Sequence, residues 1–131
     1  MNIDDLKKEI DLAKKTRDNA YAPYSNYRVG AVLKTKDGKI YSGCNIENYG
    51  IQSICAERVA FSTAISLGEK DFKYIIIVGG IDNNLEECVP CGYCRQFMSE
   101  FVEDDFLVYT ISDNKLREYT IKELLPKSFK F

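Results

Sequence analysis

The cysteines and one glutamate carry the strongest chemical signal in this chain. Cys88, Cys91 and Cys94 follow one another at two C-x-x-C spacings, and Cys55 lies far upstream with Glu57 two residues after it. The sequence contains no histidine, which excludes histidine-based zinc sites and histidine as a general base. Cysteine thiolates are therefore the soft metal ligands that this sequence can offer.

The three cysteines of C88-V-P-C-G-Y-C94 can be grouped in more than one way. All three could belong to one iron–sulfur or structural zinc site, which would make the protein a non-catalytic metal-binding module. Bacterial-type ferredoxin runs continue with a further cysteine and a proline, whereas this run continues with Arg95. We therefore interpret the run as a working pair, Cys91 and Cys94, plus Cys88 as a bystander that points away from the metal.

The third ligand is then Cys55. Three thiolates and an open fourth position are typical of a catalytic zinc site, and Glu57 could lie beside the metal-bound water without binding the metal. Three thiolates exceed the charge of a zinc ion by one, so the site needs a compensating cation. We expect Arg58 and Arg95, each immediately after one of the motifs, to donate hydrogen bonds to the sulfurs.

Local patterns predict the elements that must position these residues. Helical periodicity indicates an amphipathic helix over about 3–18 and further helices over about 55–66 and 92–101. An Asp-Gly turn between apolar runs predicts a β-hairpin over 29–45, and unbroken apolar runs predict strands at 74–80 and 106–111. A short strand over 116–119 and a helical turn to residue 124 follow. This order predicts an α/β fold with helices on a mixed sheet, in which the zinc motifs open two of the helices.

Composition limits the partners. The chain has 131 residues and a formal net charge of −2, which suits a single domain and gives no basic field for a nucleic acid. No run approaches the roughly 20 apolar residues of a membrane span, and the N-terminus lacks the apolar core of a signal peptide. We expect a cytoplasmic protein that binds neither nucleic acid nor membrane.

C55-A-E57 and P90-C-G-Y-C94 together match the signature of zinc deaminases, in which the glutamate moves protons. With Y24-S-N-Y-R-V-G-A-V32 and G43-C-N-I-E-N48, the chain resembles the cytidine deaminase family, in its small type with three cysteine ligands. The resemblance implies a three-layer α/β/α cytidine-deaminase-like domain over 1–131, with a mixed sheet of about five strands and one zinc ion per chain. The implied reaction is hydrolytic deamination of cytidine or deoxycytidine in pyrimidine salvage, with zinc-bound hydroxide attacking C4 and Glu57 as the proton shuttle.

The resemblance also implies how the nucleoside substrate is held. Asn45 and Glu47 match residues that hydrogen-bond the ribose hydroxyls, Ala56 matches a backbone contact to the base, and Tyr27 stands beside the sugar. Members of this type are homotetramers in which a C-terminal aromatic of a neighbouring subunit stacks on the base. Phe129 is the nearest match, with Phe131 as an alternative.

Some positions depart from the family pattern: Arg28, Tyr93 and a short loop over 49–54. We expect them to border the base and sugar pocket, where they could change the substrate. The alternative is therefore a deaminase of an N4-modified cytidine or of the antibiotic blasticidin S. Glu47 counts against the antibiotic, because an acidic residue that binds ribose is not expected there.

Overall fold

The computed structural model describes all 131 residues and contains four helices and five strands. The helices are α1 (Lys7–Arg17), α2 (Ala56–Ser66), α3 (Gly92–Ser99) and α4 (Ile121–Leu124). The strands are β1 (Tyr27–Thr35), β2 (Ile40–Cys44), β3 (Phe72–Ile81), β4 (Leu107–Ser112) and β5 (Lys115–Thr120). Every element expected from the sequence is present. No helix has the length and apolar character needed to cross a membrane.

The five strands form one mixed sheet in the order β2-β1-β3-β4-β5. β3 and β4 are parallel, and the remaining neighbours are antiparallel. The hairpin from β1 to β2 turns at the Asp-Gly pair, as predicted. Parallel strands need a crossover connection, and the segment that carries α3 provides it between β3 and β4. The expected mixed sheet of about five strands is confirmed.

Helices cover both faces of the sheet. On one face α1 and the turn before it bury Leu6, Ile10 and Ala13 against side chains such as Ile76 and Tyr109. On the other face α2 and α3 pack on a larger cluster, in which Phe61 is fully buried. The central strand β3 contributes to both clusters, which is why it is apolar on both faces. The three-layer α/β/α arrangement expected from the sequence is therefore confirmed.

A close approach between β2 and α2 helps to set the position of the site. Gly43 on β2 lets α2 approach closely, since a Cβ there would lie 2.6 Å from the backbone nitrogen of Ala60.

The expected first helix begins later than residue 3: residues 3–6 form turns, and the regular helix starts at Lys7. Leu6 is nevertheless fully buried, so the apolar spacing identified the buried side chains more accurately than the first helical residue.

Candidate zinc centre and substrate cavity

Three cysteine sulfurs meet where two helices begin. Cys55 immediately precedes α2, Cys91 immediately precedes α3, and Cys94 lies in the first turn of α3. Their sulfurs all lie within 4.8 Å of one another, and those of Cys55 and Cys91 are 3.8 Å apart. Zinc–sulfur bonds of about 2.3 Å at tetrahedral angles place two sulfurs about 3.8 Å apart. The three thiols therefore fit a zinc ion, and no fourth His, Cys, Asp or Glu side chain belongs to this group.

Hydrogen-bond donors and helix starts surround the cysteine sulfurs and favour a thiolate at Cys55. The backbone N–H of Cys94 points at the Cys91 sulfur, with a distance of 3.5 Å from nitrogen to sulfur. Both helix starts add the partial positive charge of their free N–H groups. Hydrogen bonds from the Cys94 thiol, Arg58 and Cys91 lower the pKa of Cys55. The pKa of Cys94 is raised, because it donates to Cys55 and is buried.

Glu57 lies in the first turn of α2 with only 4% of its surface exposed. Burial raises the pKa of its carboxyl group to about 7, since ionisation is disfavoured away from water. Its side chain lines a cavity of about 290 Å³ that Cys55 and Cys91 also line. A carboxyl group with a pKa near neutrality can both accept and return a proton.

Arg58 and Arg95 take different roles from each other. The Nη2 group of Arg58 lies 3.5 Å from the Cys55 sulfur, so this cation is placed at the ligand as expected. Arg95 instead donates to the carbonyl oxygens of Pro90 (2.7 Å) and Leu124 (3.0 Å). The expected contact between Arg95 and a sulfur is wrong, because these backbone acceptors take its donors. Arg95 ties the segment before α3 to the end of α4.

Asn45 and Glu47 line the same cavity as Glu57. The side chain of Asn45 bridges β1, accepting from the Val29 N–H and donating to the Tyr27 carbonyl, both at 2.8 Å. A primary amide has a second N–H and a second lone pair, which leaves one of each for a ligand. Asn45 is thus held in place by the backbone while it keeps hydrogen-bonding capacity toward the cavity.

Glu47 is held by a loop that precedes β1. Its carboxylate accepts hydrogen bonds from the Tyr24 N–H at 2.8 Å and from the Ser25 hydroxyl at 2.5 Å. The hydrogen bond from Ser25, followed by those from the backbone of Tyr24 and Ser25, lowers the pKa of Glu47. The role of Ser25 could not be predicted from the sequence, because no local pattern links it to a partner 22 positions away. The result is an oriented carboxylate that stays ionised and can accept from a hydroxyl group.

Three further residues singled out from the sequence, Tyr27, Ala56 and Cys88, also line this cavity. Tyr27 is partly buried, and burial raises the pKa of its hydroxyl, so the phenol is neutral. Ala56 is fully buried at the first position of α2. Cys88 does not belong to the group of three close sulfurs, but it does not point away from the site either, since it lines this cavity.

Most of the remaining candidates lie outside this cavity. Phe129 is 65% exposed and lines a separate apolar groove of about 820 Å³ with Phe131 and Tyr93. Arg28 is exposed on β1. The expectation that Tyr93 borders the base and sugar pocket is wrong for its own chain, since its ring covers Arg58, with the guanidinium carbon 4.0 Å from the ring centre. Of the loop over 49–54, Ser53 and Ile54 line the cavity.

Known proteins that resemble this chain in sequence and structure include several deaminases. The model of the cytidine and deoxycytidylate deaminase zinc-binding region matches residues 4–110. The chain is 43% identical to the cytidine deaminase of Sporosarcina psychrophila over 95% of its length and 91% of that protein. It is 36% identical to the blasticidin-S deaminase of Bacillus cereus, over 80% of this chain and 79% of that protein. A crystal structure of cytidine deaminase from Burkholderia pseudomallei, 39% identical, superposes with a TM-score of 0.82, covering 92% of this chain and 95% of that one.

Proposed function

The chain belongs to the cytidine and deoxycytidylate deaminase family, and we propose that it hydrolyses the exocyclic amine of cytidine and deoxycytidine, giving uridine or deoxyuridine and ammonia. One observation carries the proposal: buried Glu57 and the sulfurs of Cys55 and Cys91 share a cavity with Asn45 and Glu47. The cavity therefore combines a proton carrier and candidate zinc ligands, which suit hydrolysis of an amine, with an amide and a carboxylate, which suit the hydroxyl groups of a sugar.

Each residue has a defined task in this reaction. Zinc, when held by Cys55, Cys91 and Cys94, lowers the pKa of a water molecule so that it can act as a nucleophile at neutral pH. The Glu57 carboxylate accepts the proton that this water loses and delivers it to ring N3 of the base. Once the hydroxyl oxygen has bonded to C4, Glu57 takes the proton of that hydroxyl group and carries it to the exocyclic nitrogen, so that the C–N bond breaks, ammonia leaves and a carbonyl oxygen remains at C4. Its pKa of about 7 suits both directions of transfer.

Replacing Glu57 by glutamine tests the assignment. Glutamine has nearly the same shape but cannot carry the proton, so kcat should fall by about 10²- to 10⁴-fold while zinc content stays near one per chain. Glu103→Gln removes an exposed carboxylate and serves as the matched control, with wild-type turnover expected. Wild-type turnover in the Glu57→Gln variant would refute the proton-shuttle role, and loss of zinc would show that Glu57 instead supports the metal site.

The substrate is tested by a panel of cytidine, deoxycytidine, N4-substituted cytidines and blasticidin S, followed through loss of the cytosine absorbance band. Glu47 supports cytidine, because an oriented carboxylate would lose a hydrogen bond with any substrate that lacks the matching hydroxyl. Glu47→Gln should therefore raise KM for cytidine more than it lowers kcat. Faster turnover of blasticidin S than of cytidine would overturn the cytidine assignment.

The proposed assembly is a homotetramer with shared active sites, working in pyrimidine salvage in the cytoplasm. Exposed Phe129 supports it, because this ring lines a different groove from its own chain's cavity, so stacking on a base would have to occur in another subunit. A reducing compartment suits free thiols that must bind metal.

Mass measurement in solution gives the subunit number. Mixing Glu57→Gln chains with Phe129→Ala chains should restore part of the activity that each lacks, whereas sites completed within one chain would show no recovery.

A further inference from the structure

Arg58 is held at the zinc site by an aromatic ring as well as by a sulfur. Its Nη2 group lies 3.5 Å from the Cys55 sulfur, and its guanidinium carbon lies 4.0 Å from the centre of the Tyr93 ring. Its Nε atom is buried and has no hydrogen-bond partner. The guanidinium is therefore placed between ligand sulfur on one side and an aromatic face on the other.

This placement matters because of the charge at the metal. Three thiolates around a dication leave an excess negative charge, which works against activating a bound water. A guanidinium that donates to one sulfur withdraws charge from that ligand, but only while it stays in contact. An arginine side chain is long and flexible, and a stacked ring reduces the number of positions that it can adopt.

We propose that Tyr93 is a positioning residue for the zinc centre: its ring holds the Arg58 guanidinium against the Cys55 sulfur and so tunes the charge on that ligand. Tyr93 is well placed for this, because it lies between the ligands Cys91 and Cys94 in the first turn of α3. It acts through Arg58 and does not line the substrate cavity of its own chain. The inference rests on the zinc site of the proposed function, though not on which nucleoside is the substrate.

Cobalt-substituted protein provides a readout that is independent of activity. The charge-transfer band from sulfur to cobalt moves to longer wavelength when a thiolate loses a hydrogen bond, because its electrons become easier to donate. Arg58→Ala should produce this shift, and Tyr93→Ala and Tyr93→Leu should produce a smaller shift in the same direction. Tyr93→Phe keeps the ring and should keep the wild-type band. Tyr93→Leu fills similar space without a π-face, so it separates stacking from packing.

The double variant Arg58→Ala/Tyr93→Ala tests whether the two residues act as a unit. Its band should match that of Arg58→Ala alone, since Tyr93 has no target once the guanidinium is gone. In zinc enzyme, Tyr93→Ala should lower kcat by about two- to thirtyfold, which corresponds to the strength of a cation–π contact, and leave KM nearly unchanged.

Two outcomes would overturn the inference: a wild-type cobalt band in both Tyr93→Ala and Tyr93→Leu, or equal effects of Tyr93→Ala with and without Arg58. Both can be seen even if cytidine proves to be the wrong substrate. Failure of the proposed function would instead appear as a wild-type protein that binds metal but turns over no substrate in the panel.

Discussion

Gln96 on α3 connects that helix to the C-terminal tail through two hydrogen bonds. Its Nε2 group donates to the Phe129 carbonyl at 2.9 Å, and its Oε1 atom accepts from the Phe129 N–H at 3.3 Å. A net contribution of about 1 kcal/mol for each bond gives about 2 kcal/mol for the pair. Gln96→Ala should therefore raise the population of tails detached from α3 by about thirtyfold.

Hydrogen exchange of the Phe129 amide measures this population directly. Its protection should fall by about thirtyfold in Gln96→Ala, while unfolding of the whole protein changes little, because Phe129 is largely exposed. Gln96→Glu keeps an acceptor for the Phe129 N–H but loses the donor to its carbonyl, so an intermediate loss is expected. Unchanged exchange in Gln96→Ala would refute the tether and leave the edge-on contact of the Phe129 and Phe131 rings as what holds the tail.

Three further predictions follow. Cys91→Ser should lose most of its zinc and Cys88→Ser should retain it, as metal analysis of the purified variants will show; equal loss in both would contradict the pairing of ligands. Gly43→Ala should destabilise the protein by about 1–3 kcal/mol in denaturant unfolding, because the added methyl group overlaps the backbone of α2, and a neutral effect would mean that the helix can move away. The pKa of Glu47 is lowered mainly by the Ser25 hydroxyl, so a Ser25→Ala enzyme should lose cytidine affinity at a higher pH than wild type as the carboxylate is protonated. KM measured against pH would rise at the same pH in both enzymes if that hydroxyl were unimportant.

The elements were predictable because their signals are local. The Asp37-Gly38 turn fixes the hairpin from β1 to β2, and the apolar spacing of α1 identifies Leu6, Ile10 and Ala13 as buried. Spacing does not determine where helical hydrogen bonding begins, since a turn can bury the same side chain. The start of α1 was therefore placed too early.

The roles of the two arginines show the limit for the site. Arg58 follows Cys55 by three residues, which is one helical turn, so a contact with that sulfur could be expected from sequence spacing. Arg95 donates to Leu124, which is 29 positions away. The last carbonyls of a helix lack partners within that helix and attract cations. The contact between Arg95 and the end of α4 depends on how the two helices pack. The residue spacing around Cys94 therefore cannot predict it.

Position relative to the start of α3 distinguishes the cysteines of the run C88-V-P-C-G-Y-C94 that are suited to bind metal. A ligand must be a thiolate, and a helix start stabilises one. Cys91 and Cys94 lie at the start of α3 and have that support. Cys88 precedes Pro90 and has none, and its sulfur lies outside the group of three close sulfurs. It can therefore lie in the wall of the same cavity without belonging to the set of metal ligands.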